Sequence, residues 1–469
     1  MTNETIVAIS SPQGSGAIAV IRADGDDVFT VVNRLFLPAG QKGDVANLTP
    51  RKVHFGQIVD GEQTVDEVLV VAFHAPHSYT GNHMVEISCH GSRYIQQKIL
   101  QLLIDRGGQA AQAGEFTMRA FQNGKMDLAQ AEGVADLIAS TSRASHKLAM
   151  QQMRGGFSAQ ISTLREKLLH FISLIELELD FSEEDVEFAD RTQLKQLLEE
   201  VDGLIHKLLN SFTLGNAMKN GFPVAIAGNT NVGKSTLLNR LLNEEKAIVT
   251  DIAGTTRDVI EDVINIEGVE FRFIDTAGIR DTREKIEAMG IERTFNQIDK
   301  AHIILLLVDA TQPHEAVRET IQKVEKRIRD TGKKLLVLLN KVDQVKDEQA
   351  LEETEQAIGQ ELACDDQWLR ISAKTGENIE GLISYLLDAV NYSALEQNEI
   401  MVTNVRHYEA LKRASEAMDR ARQGLDSGLS SDLFAMDVRQ VLHYLGEITG
   451  EITTDEILGN IFANFCIGK

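Results

Sequence analysis

The octapeptide Gly228-Asn229-Thr230-Asn231-Val232-Gly233-Lys234-Ser235 constrains the fold of this chain more than any other segment. It follows a short apolar run, Val224–Ala227, and precedes a helical pattern, so it reads as strand, tight loop and helix. Two glycines let the backbone turn its N–H groups inward, and the helix N-terminus behind them favours an anion. That is a loop for phosphate. Lys234 is expected to meet the β- and γ-phosphates of a nucleotide and Ser235 to bind Mg²⁺, with Asn231, Val232, Gly233 and Thr236 completing the contacts. A chance Gly-rich turn is the alternative, and the agreement of strand, loop and helix argues against it.

The residues that follow predict a parallel α/β domain. Val259–Ile266 and Val269–Ile274 flank Glu267-Gly268 as a hairpin. Ile303–Asp309, Lys334–Asn340 and Trp368–Ser372 read as buried strands, each followed by helix-like sequence, and the hairpin supplies an antiparallel edge.

Three short strings sit at ends of those strands. Asp275-Thr276-Ala277-Gly278 ends the second hairpin strand, where a carboxylate can hold Mg²⁺ through water and the Gly backbone can sense a γ-phosphate. Asn340-Lys341-Val342-Asp343 follows a buried strand. Its Asp343 carboxylate suits the N1–H and exocyclic amine of guanine, a donor pair that adenine lacks. Ser372-Ala373-Lys374 closes the base pocket after the last strand. Each string is weak alone. In this order they resemble the GTPase signature set, which implies GTP rather than ATP.

Gly254-Thr255-Thr256-Arg257-Asp258 is expected to fill the first switch, with Thr256 as second Mg²⁺ ligand and Thr250-Asp251-Ile252-Ala253 before it also bordering the nucleotide; a solvated polar loop is the alternative. Ras-like proteins place a water-orienting Gln directly after the D-T-A-G string. Here Ile279 stands there and cannot polarise water. Another group must complete hydrolysis, supplied by this chain, a partner or a second subunit. Glu284 and Glu287 lie in the second switch, where a charged loop and a catalytic role are both open.

The remaining chain has two other regimes. Residues 1–123 mix short β-rich runs (Thr5–Ile9, Ala17–Ile21, Glu67–Phe73, Met84–Ser88) with one helix after Tyr94, an α+β domain. Residues 124–216 and 388–469 read as a discontinuous all-α bundle interrupted by the inserted α/β domain at 217–387. Leu164, Leu168, Phe171, Ile172 and Ile175 form one helical stripe; Leu194, Leu197, Leu198, Val201, Ile205 and Leu208 form another. Ala410, Leu411, Ala414 and Met418 share a third face.

Charge limits the partners. With 47 Lys and Arg against 70 Asp and Glu, a formal charge of -23, the chain is unsuited to coating nucleic acid, whose binding needs cations. RNA would need a local basic patch or a partner protein. Cys89, Cys364 and Cys466 are sparse and scattered, which fits a reducing compartment. The first residues carry no signal-peptide pattern, and the longest apolar run, Ile303–Val308, has six residues. A soluble cytoplasmic protein without membrane contact is expected.

Beyond the nucleotide strings, three segments resemble the tRNA-modification GTPase family MnmE, also called TrmE. They are Ala113-Gly114-Glu115-Phe116-Thr117 continuing through Arg119-Ala120-Phe121 to Lys125-Met126-Asp127-Leu128-Ala129-Gln130-Ala131-Glu132; Leu179-Asp180-Phe181 before Glu183-Glu184-Asp185; and Phe465-Cys466-Ile467-Gly468-Lys469. The resemblance covers essentially the whole chain. It implies a homodimer that acts with the flavoprotein MnmG (GidA), which carries the FAD. Together they install an aminomethyl or carboxymethylaminomethyl group at C5 of the wobble uridine of certain tRNAs. It implies an N-terminal domain that dimerises and binds 5-formyl- or methylene-tetrahydrofolate, the one-carbon source, with Arg22, Glu86, Lys125 and Lys469 at the folate positions. Cations suit folate carboxylates and a carboxylate suits pterin N–H donors. Without the family, Arg22 and Glu86 read as surface charges of strands.

The resemblance also implies K⁺-stimulated hydrolysis without an arginine finger. Asn231, Thr250, Ile252 and Thr255 match the K⁺ ligands, and Glu287 the position that orients water. Two departures stand out: Asn82 where the family usually carries an acidic residue, and Thr230 where Pro or Ala is common. Cys466 is readable as a nucleophile, but nothing in the sequence marks a depressed pKa. A ribosome-assembly GTPase shares the nucleotide strings but predicts a basic KH-like module, whereas this C-terminal region reads as helical. A GTP-dependent scaffold without chemistry of its own is the third alternative.

Overall fold

The computed structural model describes residues 4–40, 44–180, 191–243, 247–249, 262–274, 297–329, 331–362, 366–390, 400–427, 431–463 and 465–468. The chain divides into two compact units: Met1–Ala139 with Met150–Gly203 and Ala410–Lys469, and Ser140–Ala149 with Leu204–Glu409.

In the first unit a seven-stranded sheet forms from β1 (Ile6–Ile9), β2 (Ile18–Asp24), β3 (Phe36–Pro38), β4 (Val53–Asp60), β5 (Gln63–Phe73), β6 (Met84–His90) and β7 (Gln109–Ala110), in the order β3-β4-β5-β6-β2-β1-β7. Its pairings are antiparallel except β1 with β7. Strand side chains alternate between faces, so Val68, Val70 and Ala72 of β5 point into a core shared with Val7, Ile21 and Ile87. The helix Arg93–Asp105 covers that core with Ile99, Leu102 and Leu103. On β1, Ile6 and Ala8 instead join Phe116 of the helix Glu115–Gln122.

The sequence reading found β1, β2, β5 and β6 but missed β3, β4 and β7. Strand β4 shows why: its alternation runs the wrong way round. Val53 and Phe55 are exposed while Gly56 is buried, because a Cβ on Gly56 would lie 2.4 Å from the Leu37 carbonyl oxygen. Close approach of β3, not hydrophobicity, selects the residue.

Asp24, at the end of β2, is fully buried. Arg119 donates to its Oδ1 at 2.9 Å, Asn82 Nδ2 donates to the same oxygen at 3.1 Å, and Thr80 Oγ1 donates to Oδ2. Arg119 also reaches the Glu4 carbonyl and Glu115, and Asn123 joins Asn82 to the Thr80 carbonyl. A buried carboxylate needs this many donors to offset its lost hydration. Asn82 is therefore explained: its amide supplies a donor where a second carboxylate would face the first.

The helical stripes pack as the sequence predicts. Leu164, Leu168, Phe171, Ile172 and Ile175 of the helix Gly156–Asp180 are buried, and that helix lies along Ser431–Thr449. Leu198, Val201, Ile205 and Leu208 are buried on the helix Arg191–Asn220, with Leu197 half-buried; the side chain of Leu194 is outside the described set. Ala410, Leu411, Ala414 and Met418 are buried on Val405–Asp426. Among the described residues no helix is long and apolar enough to cross a membrane.

The second unit holds a seven-stranded sheet of β8 (Phe222–Ala227), β9 (Ala247–Val249), β10 (Asp262–Ile266), β11 (Val269–Phe273), β12 (Ile303–Asp309), β13 (Lys334–Asn340) and β14 (Gln367–Arg370), ordered β14-β13-β12-β8-β11-β10-β9. Strands β14, β13, β12, β8 and β11 run parallel, and β10 is antiparallel to β11 and β9. Parallel strands covered on both faces read as unbroken apolar runs. Leu305, Leu307, Leu336 and Leu338 face one core, and Ile304, Leu306, Val337 and Leu339 the other. The hairpin turn falls at Glu267-Gly268, both with positive φ (51° and 88°), as a two-residue turn between twisted strands requires.

Cutting Arg119 to Leu leaves the Asp24 carboxylate buried without its cation. The expected cost is about 3–5 kcal/mol, read as faster amide hydrogen exchange in β1 and β2. Unchanged exchange would contradict the role given to this pair.

Candidate functional site

Strand β8 ends at Ala227, and the next six residues turn the chain into the helix Lys234–Leu242. Three of them have positive φ: Gly228 (140°), Asn231 (63°) and Gly233 (104°). Gly228 packs so closely on β12 that a Cβ would lie 2.3 Å from the Leu307 carbonyl oxygen, and a Cβ on Gly233 would lie 2.4 Å from Asn340 Nδ2. Both glycines are thus required by contact as well as by φ. Lys234 curls over the loop and donates to the carbonyls of Gly228 (2.6 Å) and Asn229 (2.8 Å), and burial holds its pKa below the usual lysine value. Ser235, the second helical residue, is half-buried, and Thr236 is exposed. A hydroxyl and an ammonium at the open end of a helix are a donor set that fits an Mg²⁺-bound polyphosphate.

Asn340 joins the phosphate loop to the base side. At 2% exposure, its Nδ2 donates to the Val232 carbonyl (2.7 Å) and its Oδ1 accepts from the Ala373 amide (2.9 Å). Ser372 Oγ donates to Asp343 Oδ1 at 2.7 Å, which orients that carboxylate beside the loop after β14. Lys341, in the left-handed region at φ 68°, sends its ammonium to Asp309 Oδ2 at 2.6 Å. Asp309 also accepts from the Thr311 amide and hydroxyl. Burial pushes the Asp309 pKa up, but Lys341 and Thr311 outweigh it and hold the carboxyl below its ordinary range. The structure therefore brings Asn231, Val232, Gly233, Lys234 and Ser235 together with Asn340, Lys341, Asp343, Ser372 and Ala373.

Other expected positions lie outside the described residues. They are Thr250, Asp251, Ile252, Ala253, Gly254, Thr255 and Thr256 of the first switch, and Asp275, Thr276, Ala277, Gly278 and Glu287 of the second. Ile274, just before the latter, is buried and bonded to the Val224 carbonyl.

A second cluster lies on the N-terminal sheet. Arg22 and Glu86 are cross-strand partners on β2 and β6, joined by two hydrogen bonds of 3.0 and 2.7 Å. Their side chains keep 14% and 26% exposure, so neither charge is sealed off from a ligand. The Arg22 guanidinium stands over the rings of Tyr79 (5.4 Å) and Phe116 (5.7 Å). Tyr79 is tied to Thr117 at 2.9 Å, and burial raises its pKa. Residues 465–468 come to the same place. Gly468 accepts from Ser10 Oγ (2.9 Å) and Arg22 Nη1 (3.4 Å), and Ala113 bridges Ile467. Lys469 follows directly and is itself outside the described residues. Lys125 reaches the Pro76 carbonyl at 3.0 Å, on the loop that also carries Tyr79, rather than Arg22 or Glu86. The donor set is mixed, with cation, carboxylate and rings, and fits a flat, partly anionic heterocycle.

Cys466 is exposed, whereas Cys89 is buried and burial raises its thiol pKa to about 11; Cys364 is outside the described residues. Sequence reasoning missed Asp309 and Tyr79. Only Asp309 left a signal, a carboxylate ending a wholly apolar strand.

A strained glycine loop on a parallel sheet, opposite a serine-oriented carboxylate, defines a P-loop GTP-binding fold. Family models match along nearly the whole length: "GTP-binding protein TrmE N-terminus" at residues 5–125 and "MnmE helical domain" at residues 128–466. A tRNA modification GTPase MnmE of Christiangramia forsetii is 54% identical over 475 residues, covering 100% of this chain and 99% of that one. Those of Bacteroides fragilis (52%) and Flavobacterium johnsoniae (51%) cover 100% of both chains. The chain belongs to the tRNA modification GTPase MnmE family, and it is a GTP hydrolase.

Gly233→Ala should lower affinity for fluorescently labelled GDP by about 100-fold, from backbone strain plus displacement of Asn340. Affinity equal to wild type would show that the loop tolerates the Cβ.

Proposed function

We propose that this chain hydrolyses GTP as a K⁺-dependent homodimer and, with the flavoprotein MnmG, uses a folate one-carbon unit to modify the wobble uridine of certain tRNAs. The role in tRNA modification follows from family membership. The observation that supports the finer reading is the pairing of Arg22 with Glu86 beside Gly468, whose carbonyl accepts from Arg22 and Ser10: two of the four folate-assigned positions share one face of the N-terminal sheet, next to the residue that precedes Lys469. Arg22 is suited to hold a folate carboxylate or carbonyl, and Glu86 to accept pterin N–H groups; Lys469 and Lys125 would add charge at the rim. The bound folate supplies the one-carbon unit. The formal charge of -23 supports a division of labour in which the partner brings much of the cationic surface that tRNA needs.

In the nucleotide site, Lys234 is suited to the β- and γ-phosphates, Ser235 and Thr256 to Mg²⁺, and Asp343 to guanine. With Ile279 unable to orient water, Glu287 is assigned that task. Asn231, Thr250, Ile252 and Thr255 are assigned to K⁺, whose charge would take the part of an arginine finger. The left-handed φ of Asn231 is consistent with a backbone shaped for a ligand. Residues 1–123, 124–216 with 388–469, and 217–387 are proposed as the folate-binding and dimerising, helical and GTPase domains of a cytoplasmic enzyme.

Replacing K⁺ by Na⁺ at equal ionic strength should slow GTP turnover about tenfold or more; equal rates would remove the cation from the mechanism. Arg22→Ala should weaken tetrahydrofolate binding about tenfold or more in equilibrium dialysis and leave the wobble uridine of cellular tRNA unmodified. Wild-type folate affinity would refute the site.

A further inference from the structure

The loop after β14 is fastened from two sides. Asn340 holds the Ala373 amide, as described above. From the other side Arg240, in the last turn of the helix Lys234–Leu242, donates from Nη2 to the Lys374 carbonyl at 2.7 Å and from Nε to the Ala373 carbonyl at 3.5 Å. Gly376, at φ 90°, lies flat against the guanidinium, and a Cβ there would sit 3.4 Å from Arg240 Cζ. The same loop is braced by the Gly376 amide on the Ser372 carbonyl and by Thr375 on Ser372 Oγ. Ser372 in turn orients Asp343.

From this geometry we infer that Arg240 is a positioning residue for base selection. It clamps Ala373 and Lys374 so that Ser372 keeps the Asp343 carboxylate aimed at the N1–H and 2-amino groups of guanine. Arg240 does not touch the base; it acts through the loop. An ordinary role as a basic residue at a helix C-terminus is the competing account, because such a charge favours the exposed carbonyls there. Its bonds, however, go to carbonyls outside its own helix, and the fork of a guanidinium can serve two of them at once where an ammonium serves as a point donor. The inference rests on the assignment of Asp343 to guanine made above.

Guanine and hypoxanthine differ only in the 2-amino group, so the ratio of GDP to IDP affinity reports how well Asp343 is aimed. Arg240→Ala should reduce that ratio about tenfold, the worth of one misdirected charged hydrogen bond, and Arg240→Lys should recover part of it. A merely structural arginine would lower affinity for both nucleotides by the same factor, or shift only the melting temperature, and either result would overturn the inference. Asp343→Ala, measured alongside, separates the two levels. If it leaves the GDP to IDP ratio at its wild-type value, the base pocket itself is misassigned. If it collapses the ratio while Arg240→Ala does not, only the clamp is wrong.

Discussion

The nucleotide half of this protein depends on one buried amide. Asn340 bonds both to the phosphate loop, at Val232, and to the base-side loop, at Ala373. Its polarity is matched at both ends, so burial costs it little, whereas any partial mismatch would leave a buried donor or acceptor unpaired. Gly233 exists as glycine because this amide occupies the space a Cβ would need. The two loops are therefore one structure, although more than a hundred residues separate them in sequence.

The N-terminal sheet is organised by a comparable polar centre. Asp24, Thr80, Asn82, Arg119 and Asn123 form a connected set of bonds that ties the end of β2 to the helix Glu115–Gln122 and to the loop carrying Tyr79. That set fixes the two rings beneath Arg22. The half-buried pair Arg22 and Glu86 thus stands beside a more deeply buried charge pair, Arg119 with Asp24, which is a firmer support than a surface ion pair could be.

Much of the GTPase architecture was legible because parallel strands buried on both faces leave continuous apolar runs. Ile303–Asp309 and Lys334–Asn340 were read with their observed limits, and the hairpin announced itself through Glu267-Gly268. The helical stripes were legible for the same reason, a periodicity imposed by burial. Strands β3, β4 and β7 were not, since their residues are chosen by neighbouring backbone: Gly56 answers to Leu37, and β7 is a two-residue pairing with no room for a pattern.

By itself, the sequence determined the order and spacing of the nucleotide-binding strings along the chain, because phosphate and base recognition demand particular residue types at short fixed spacings. Only the tertiary structure decided which distant groups share a site. Gly468 meets Ser10 and Arg22 across more than four hundred residues, and Arg240 meets Lys374 across more than a hundred. Such contacts follow from how sheets and helices pack, and no local spacing encodes them. An arginine in a helix reads the same whether it faces water or clamps a loop until the fold supplies its partner.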